Sequence, residues 1–232
     1  MLGRAAVAMW WDIAPEVKSE WEDWHSREHM PERLGIPGFL RGTRWIALSG
    51  EPAYFVLYEA ARIATITAGP YVERLNNPTP WSQKMMPHHR NMVRSLCRVR
   101  ATFGRGVAHA LATIRFSPSP RSKTVLSKWL VADTLPTLPE RRGLTGAHLL
   151  ESQPMLTTTQ TAEQKIRGKD AQADWVVLIS GHDADAVKAV LTNELSADAF
   201  ATHGASPDRV EGLYCPAYSL TPRDLRVPVK RN

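Results

Sequence analysis

Two histidines four residues apart with a glutamate between them, His25, Glu28 and His29 in WHSREHMPERLGIPGF, are the residues of this sequence best suited to moving protons. An imidazole titrates near neutral pH and can take up and return a proton, and a neighbouring carboxylate can orient or tune it. On a helix, residues four apart share a face, so His29 lies one turn beyond His25. Val17, Trp21, Trp24 and Glu28 follow spacings of four, three and four, which puts a carboxylate at the end of an aromatic, core-facing stripe. The expected catalytic set is therefore His25, Glu28 and His29. Trp24 and Trp81 are expected to stack on a cyclic substrate, with His88 and Arg33 as further binding residues.

Trp81, His88, His89 and Arg90 belong to NPTPWSQKMMPHHRN, a proline-punctuated stretch read as a loop before the last strand of the first half. His88 is the expected pocket residue there, and His89 is read as an exposed loop residue. The helix bearing His25 and His29 is expected over about 16–30 and closed by Pro31.

The elements that must position these residues occur twice. MPERLGIPGFL from Met30 is echoed by LPERRGLTGAH from Leu138, an offset of 108 residues that also carries Val17 onto Val125 and Trp21 onto Trp129. At the same offset Trp24 becomes Ala132, His25 becomes Asp133, Glu28 becomes Pro136 and His29 becomes Thr137. The packing positions recur and the polar cluster does not, so one active half is expected. Each copy reads strand, helix, strand, strand, helix, strand, with AAVAMWWDI and AHALATIRF as first strands and RSLCRVRATF and EGLYCPAYSL as last. That order implies an α+β fold of two tandem ferredoxin-like βαββαβ halves, 1–105 and 106–232, with their sheets packed face to face as an intrachain dimeric α/β barrel. The first half would carry the site and the second would be mainly structural. A polar insertion over 153–173 is read as disordered in preference to a functional lid.

Composition narrows the function classes. A 232-residue chain with 43% hydrophobic residues can bury a sizeable core. No run approaches a membrane span, and the start lacks a signal-peptide pattern, so the expected location is the cytoplasm. Cys97 and Cys215 are too few for a disulfide framework, have no metal-ligand spacing, and are read as buried thiols. The formal charge of +6 is scattered, without a dense stripe for nucleic acid, and fits an anionic substrate or plain solubility better.

The stretch WHSREHMPERLGIPGFLRG, with a strand before it and YFVLYEA after it, resembles the dimeric α/β-barrel superfamily, in particular its EthD-like and muconolactone-isomerase-like branches. The superfamily it resembles includes cofactor-free isomerases, lyases, decarboxylases and monooxygenases of small molecules, haem enzymes and proteins of unknown activity, and the resemblance points to His29. His25 to His29 also spell H-x-x-E-H, the inverzincin zinc signature, but Pro31 follows at once and no third ligand is evident, so no metal is expected. The reading is a cofactor-independent isomerase or lyase of aromatic, cyclic or lactone-like catabolic intermediates, with a small-molecule substrate as partner and a homodimer compatible with it. The alternatives are a non-catalytic small-molecule or stress-response binding module, and a metal- or haem-binding enzyme using the His25/His29 helix, with His88 as another axial candidate.

Overall fold

Apolar residues on both sides of the pleat make the first strand a two-faced element: Ala6, Ala8 and Trp10 join one buried cluster, while Ala5, Val7, Met9 and Trp11 join another. The computed structural model describes residues 1–153, 160–168 and 170–226. Its first half runs β1 (Ala5–Ile13), α1 (Lys18–Trp24), a π-helical turn (His25–His29), α2 (Met30–Leu34), β2 (Phe39–Gly50), β3 (Tyr54–Ala60), α3 (Ile63–Thr67), α4 (Pro70–Asn76), α5 (Pro80–Met85) and β4 (His89–Gly104). Its second half runs β5 (Ala110–Phe116), α6 (Lys123–Lys128), a π-helical turn (Trp129–Thr134), a 3₁₀ segment (Leu135–Glu140), β6 (Leu144–Ser152), α7 (Ala162–Arg167), β7 (Trp175–Gly181), α8 (Ala184–Thr192), α9 (Ala197–Thr202) and β8 (Val210–Leu220).

The eight strands close into one antiparallel barrel in the order β1-β3-β2-β8-β5-β7-β6-β4. The halves meet through two equivalent seams. β2 pairs with β8, setting Thr43 opposite Ser219 and Ile46 opposite Cys215, and β4 pairs with β6, setting Arg98 opposite Glu151. Closure satisfies every sheet edge within a single chain, so no second copy is needed to complete the barrel. Trp10, Trp45, Phe55, Leu57, Leu111, Leu178 and Tyr214 fill the lumen, and each half buries a further apolar layer between barrel and helices. Cys97 is buried in the lumen, whereas Cys215 is only half-buried. No helix among the described residues is long and apolar enough to cross a membrane.

Four local expectations are corrected. Pro31 does not close the first helix, because the chain widens into the π turn at His25–His29, with the Met30 amide bonded to the His25 carbonyl, and then continues as α2. In a regular α-helix the proline ring would collide with the carbonyl four residues back, and the wider turn removes that conflict. The stretch read as a loop around Trp81 contains α5, whose N-cap Thr79 accepts a hydrogen bond from the Ser82 amide, and β4 begins at His89. Val125 is 57% exposed, because the second half's helix buries Leu126, Leu130, Leu135 and Leu138 instead. Trp129 is likewise only half-buried, stacked on His203. Finally, the insertion read as disordered contains α7, started by a capping box between Thr161 and Gln164 and packed against the first half. Positions 154–159 and 169 of that insertion lie outside the described residues.

Candidate functional site

The π turn brings His25 and His29 inward together, with ring centroids 5.6 Å apart. Such turns insert one residue into a helical ladder and recur at functional sites. Both imidazoles enter an aromatic wall: His25 stacks on Trp21 at 4.9 Å, and His29 lies 4.6 Å from Trp24. Across from them stand Met9 and Trp11 of β1, Tyr58 of β3 and Arg94 of β4, around a cavity of about 30 Å³. The site thus lies between the outer face of the barrel and the helices of the first half.

His89 completes the group. The Trp21 indole N–H, which can only donate, lies 3.2 Å from His89 Nε2, so that nitrogen accepts and Nδ1–H donates to the Met86 carbonyl at 3.0 Å. Desolvation holds this imidazole neutral and lowers its pKa to about 3. The same logic applies to His25: Arg44 Nη1 donates toward its Nδ1 at 3.4 Å, which leaves Nε2–H facing the Tyr58 hydroxyl at 3.5 Å. Burial first, and then the charges of Arg44 on His25 and Arg33 on His29, hold both imidazoles well below the ordinary histidine range. The site therefore presents three neutral imidazoles at pH 7.

Besides Arg44, three guanidiniums line the cavity beside them. Arg33, 2% exposed, donates from Nη2 to Glu163 of α7, which is also buried. Arg167 holds Asp170 through two hydrogen bonds of 2.7 and 2.9 Å and lies 3.6 Å from Glu163. Arg94 donates to the Tyr71 hydroxyl at 3.0 Å. Arg33, Arg94, Glu163 and Arg167 all line the cavity, so the insertion of the second half supplies part of its wall.

Of the residues expected from sequence, Trp24, His25, His29 and Arg33 meet at the cavity. Glu28 does not, because its carboxylate accepts from Thr79 at 2.5 Å on the other flank of the helix. Trp81 packs on the apolar core with its indole N–H on Glu20, and His88 gives way to its neighbour His89. Arg94, Tyr58, Tyr71, Glu163 and Arg167 carried no sequence signal, since they lie on separate elements with no shared spacing. The H-x-x-E-H pattern does not assemble as a ligand set, and among the described residues no group of three or more His, Cys, Asp or Glu side chains is placed to hold a metal ion. A haem would need an open apolar slot beside an imidazole. Here the wall beside the imidazoles is rich in arginine, with Arg33, Arg94 and Arg167 lining it, so these residues do not fit a porphyrin.

No protein-family model and no curated protein sequence matches the chain. Solved structures do match it over nearly full length. An anthrone oxidase-like protein aligns with a TM-score of 0.63 at 8% identity, covering 94% of this chain and 92% of its own. A candidate monooxygenase from Fusobacterium nucleatum subsp. nucleatum aligns at 0.60 and 7% identity, covering 95% and 96%. A candidate chlorite dismutase aligns at 0.56 and 12% identity, covering 97% and 98%. At such identities the likeness is one of fold, and the fold is that of the ferredoxin-like dimeric α/β-barrel proteins, here closed within one chain.

Proposed function

We propose that the chain is a cofactor-independent acid–base enzyme acting on a small aromatic or cyclic molecule in the cavity of the first half, with isomerisation or lysis as the outcome. The observation that carries the reading is His29, a buried neutral imidazole whose Nδ1 has no hydrogen-bond partner among the described residues and which lines a cavity it shares with cationic side chains. A neutral imidazole can accept a proton from a C–H or O–H group of the substrate, and the electron pair left behind is delocalised as an enolate or phenolate. The same imidazolium returns the proton at another carbon, which gives an isomer, or to a leaving group, which gives cleavage. Positive charge beside the developing oxyanion lowers the barrier to the first step. His25 and His89 fix the aromatic wall, and Trp24 covers one face of the site. The matching strand–helix order of the halves supports reading them as copies of one ancestral unit, with the chemistry kept in the first.

A second reading, oxidation of the same class of substrate by molecular oxygen, is supported by the names of two fold neighbours, an anthrone oxidase-like protein and a candidate monooxygenase. It would begin with the same proton transfer and would differ in consuming oxygen. The test is proton exchange. Aromatic and cyclic carbon acids are incubated with the protein in D₂O, and loss of the C–H signal is followed by ¹H NMR, with an oxygen electrode in parallel. Wild-type protein is expected to accelerate exchange for a subset of the panel, and His29→Gln to lose about 10²- to 10⁴-fold of that rate. Equal rates in wild type and His29→Gln would remove the imidazole from the chemistry.

A further inference from the structure

Buried polar atoms without partners are costly, and they are concentrated in one place in this molecule. Five buried side-chain nitrogens lack a hydrogen-bond partner among the described residues, and three of them, Trp11 Nε1, His29 Nδ1 and Arg33 Nη1, belong to residues that line the cavity. The charges there are also unequal. Three guanidiniums, Arg33, Arg94 and Arg167, face one carboxylate, Glu163, and the histidines are neutral. Arg33 is taken up by Glu163, and Arg167 by Asp170 in a two-bond clasp. Arg94 remains, 8% exposed, with the Tyr71 hydroxyl as its side-chain hydrogen-bond partner and no carboxylate within ion-pair distance among the described residues.

Asp170 and Glu163 act on Arg94 only from beyond ion-pair distance, and a buried guanidinium without a direct carboxylate partner is unfavourable. Arg33 and Arg94 also sit on one ring: each guanidinium carbon lies 5.9 Å from the centroid of Tyr71. Both side chains line the cavity. Planar guanidiniums match carboxylates through paired N–H···O bonds, which compact ammonium groups do not. We propose that the cavity binds a monocyclic carboxylate, its anionic group held between Arg94 and the free Nη1 of Arg33 and its ring against Trp11 and Trp24. The space as it stands is about 30 Å³, so the ring enters by displacing the side chains that line it. This deepens the acid–base reading by naming the substrate class and rests on it for the identity of the site, yet anion binding is measurable without turnover.

The test is isothermal titration calorimetry with benzoate, its uncharged isostere benzamide, and inorganic phosphate. Wild-type protein is expected to take up benzoate and to bind benzamide and phosphate at least about tenfold more weakly. Loss of one charge-assisted contact converts to about ten- to a hundredfold, so Arg94→Gln is expected to weaken benzoate by that factor and Arg94→Lys by less. His29→Gln is expected to keep benzoate within a few fold while losing proton exchange, which separates failure of the chemistry from failure of the anion site. Benzamide binding as tightly as benzoate in the wild type would overturn the proposal, and this arm stands even if Arg94→Gln fails to fold. Phosphate binding as tightly as benzoate would overturn recognition of the ring. Loss of benzoate on His29→Gln and not on Arg94→Gln would overturn the assignment to Arg94.

Discussion

Replacing Glu163 with glutamine tests whether the second half completes the pocket of the first. Glu163 and Arg33 are 130 residues apart in sequence, and their side chains are 3% and 2% exposed. The substitution keeps an oxygen acceptor but removes the counter-charge, and Arg33 cannot release its proton to escape the cost. Breaking one side of a buried ion pair costs about 3–5 kcal/mol. The surviving amide places Glu163→Gln at the low end, about 3 kcal/mol. Arg167 contributes little to the loss because Asp170 still clasps it. In a chain of this size each kcal/mol corresponds to about 2–4 °C in Tm, so calorimetry is expected to record a fall of about 6–12 °C. A double-mutant cycle with Arg33→Met isolates the pair, with a coupling of about 2 kcal/mol expected between the two sites. A Tm change under about 2 °C with coupling near zero would refute the docking of α7 on the pocket and the view that both halves build the site.

Three further outcomes follow from the same geometry. The unfolded chain's imidazoles keep a pKa near 6.5 while the folded values of His25, His29 and His89 are depressed, that of His89 to about 3, so the unfolded state binds the extra protons between those limits. Urea midpoints are accordingly expected to fall from pH 6.5 toward pH 3, with the His89 ring still neutral by ¹⁵N NMR at pH 5, and a protonated His89 ring in the folded protein at pH 5 would contradict this. Trp21→Ala is expected to cost about 3–5 kcal/mol and Trp129→Ala less than half of that, because Trp21 is fully buried and Trp129 is not, and equal losses in urea denaturation would contradict the packing described. Titration with haem is expected to leave the spectrum of free haem unchanged, and a sharp Soret band lost in His29→Gln would reverse the fit argument.

The strands were legible because the polypeptide repeats its side-chain direction every two residues, so AAVAMWWDI and DWVVLISG announce elements covered on both faces. The 108-residue offset gave the order of elements, and with it the expectation of a barrel. Helical spacing placed Trp24, His25 and His29 together correctly, yet it misplaced Glu28, because an ideal wheel drawn through residues 17–28 takes no account of the π turn that begins at His25. The choice of His88 over His89 failed for a related reason: reading 78–91 as a loop hides the start of β4 at His89, and it is the indole of Trp21 that draws His89 in. The insertion misled by composition, since its Thr, Gln and charges suggest solvent, while Glu163 and Arg167 form a buried ion network. Polarity in sequence does not distinguish a solvated charge from a paired one.

That distinction bears on why the site needs both halves. A cluster of arginines against neutral histidines within one ferredoxin-like unit would repel itself in a medium where charge is poorly screened. Glu163 and Asp170 arrive from the insertion and answer two of the three guanidiniums. If the insertion had supplied a third carboxylate, the cavity would be neutral and indifferent to anions, and if it had supplied none, burying Arg33 and Arg167 would be too costly. The arrangement stops one charge short, at Arg94, beside the unpartnered nitrogens of Arg33, Trp11 and His29. The most economical account of that remaining charge is that the substrate supplies its partner, so that binding and the stability of the pocket rise together.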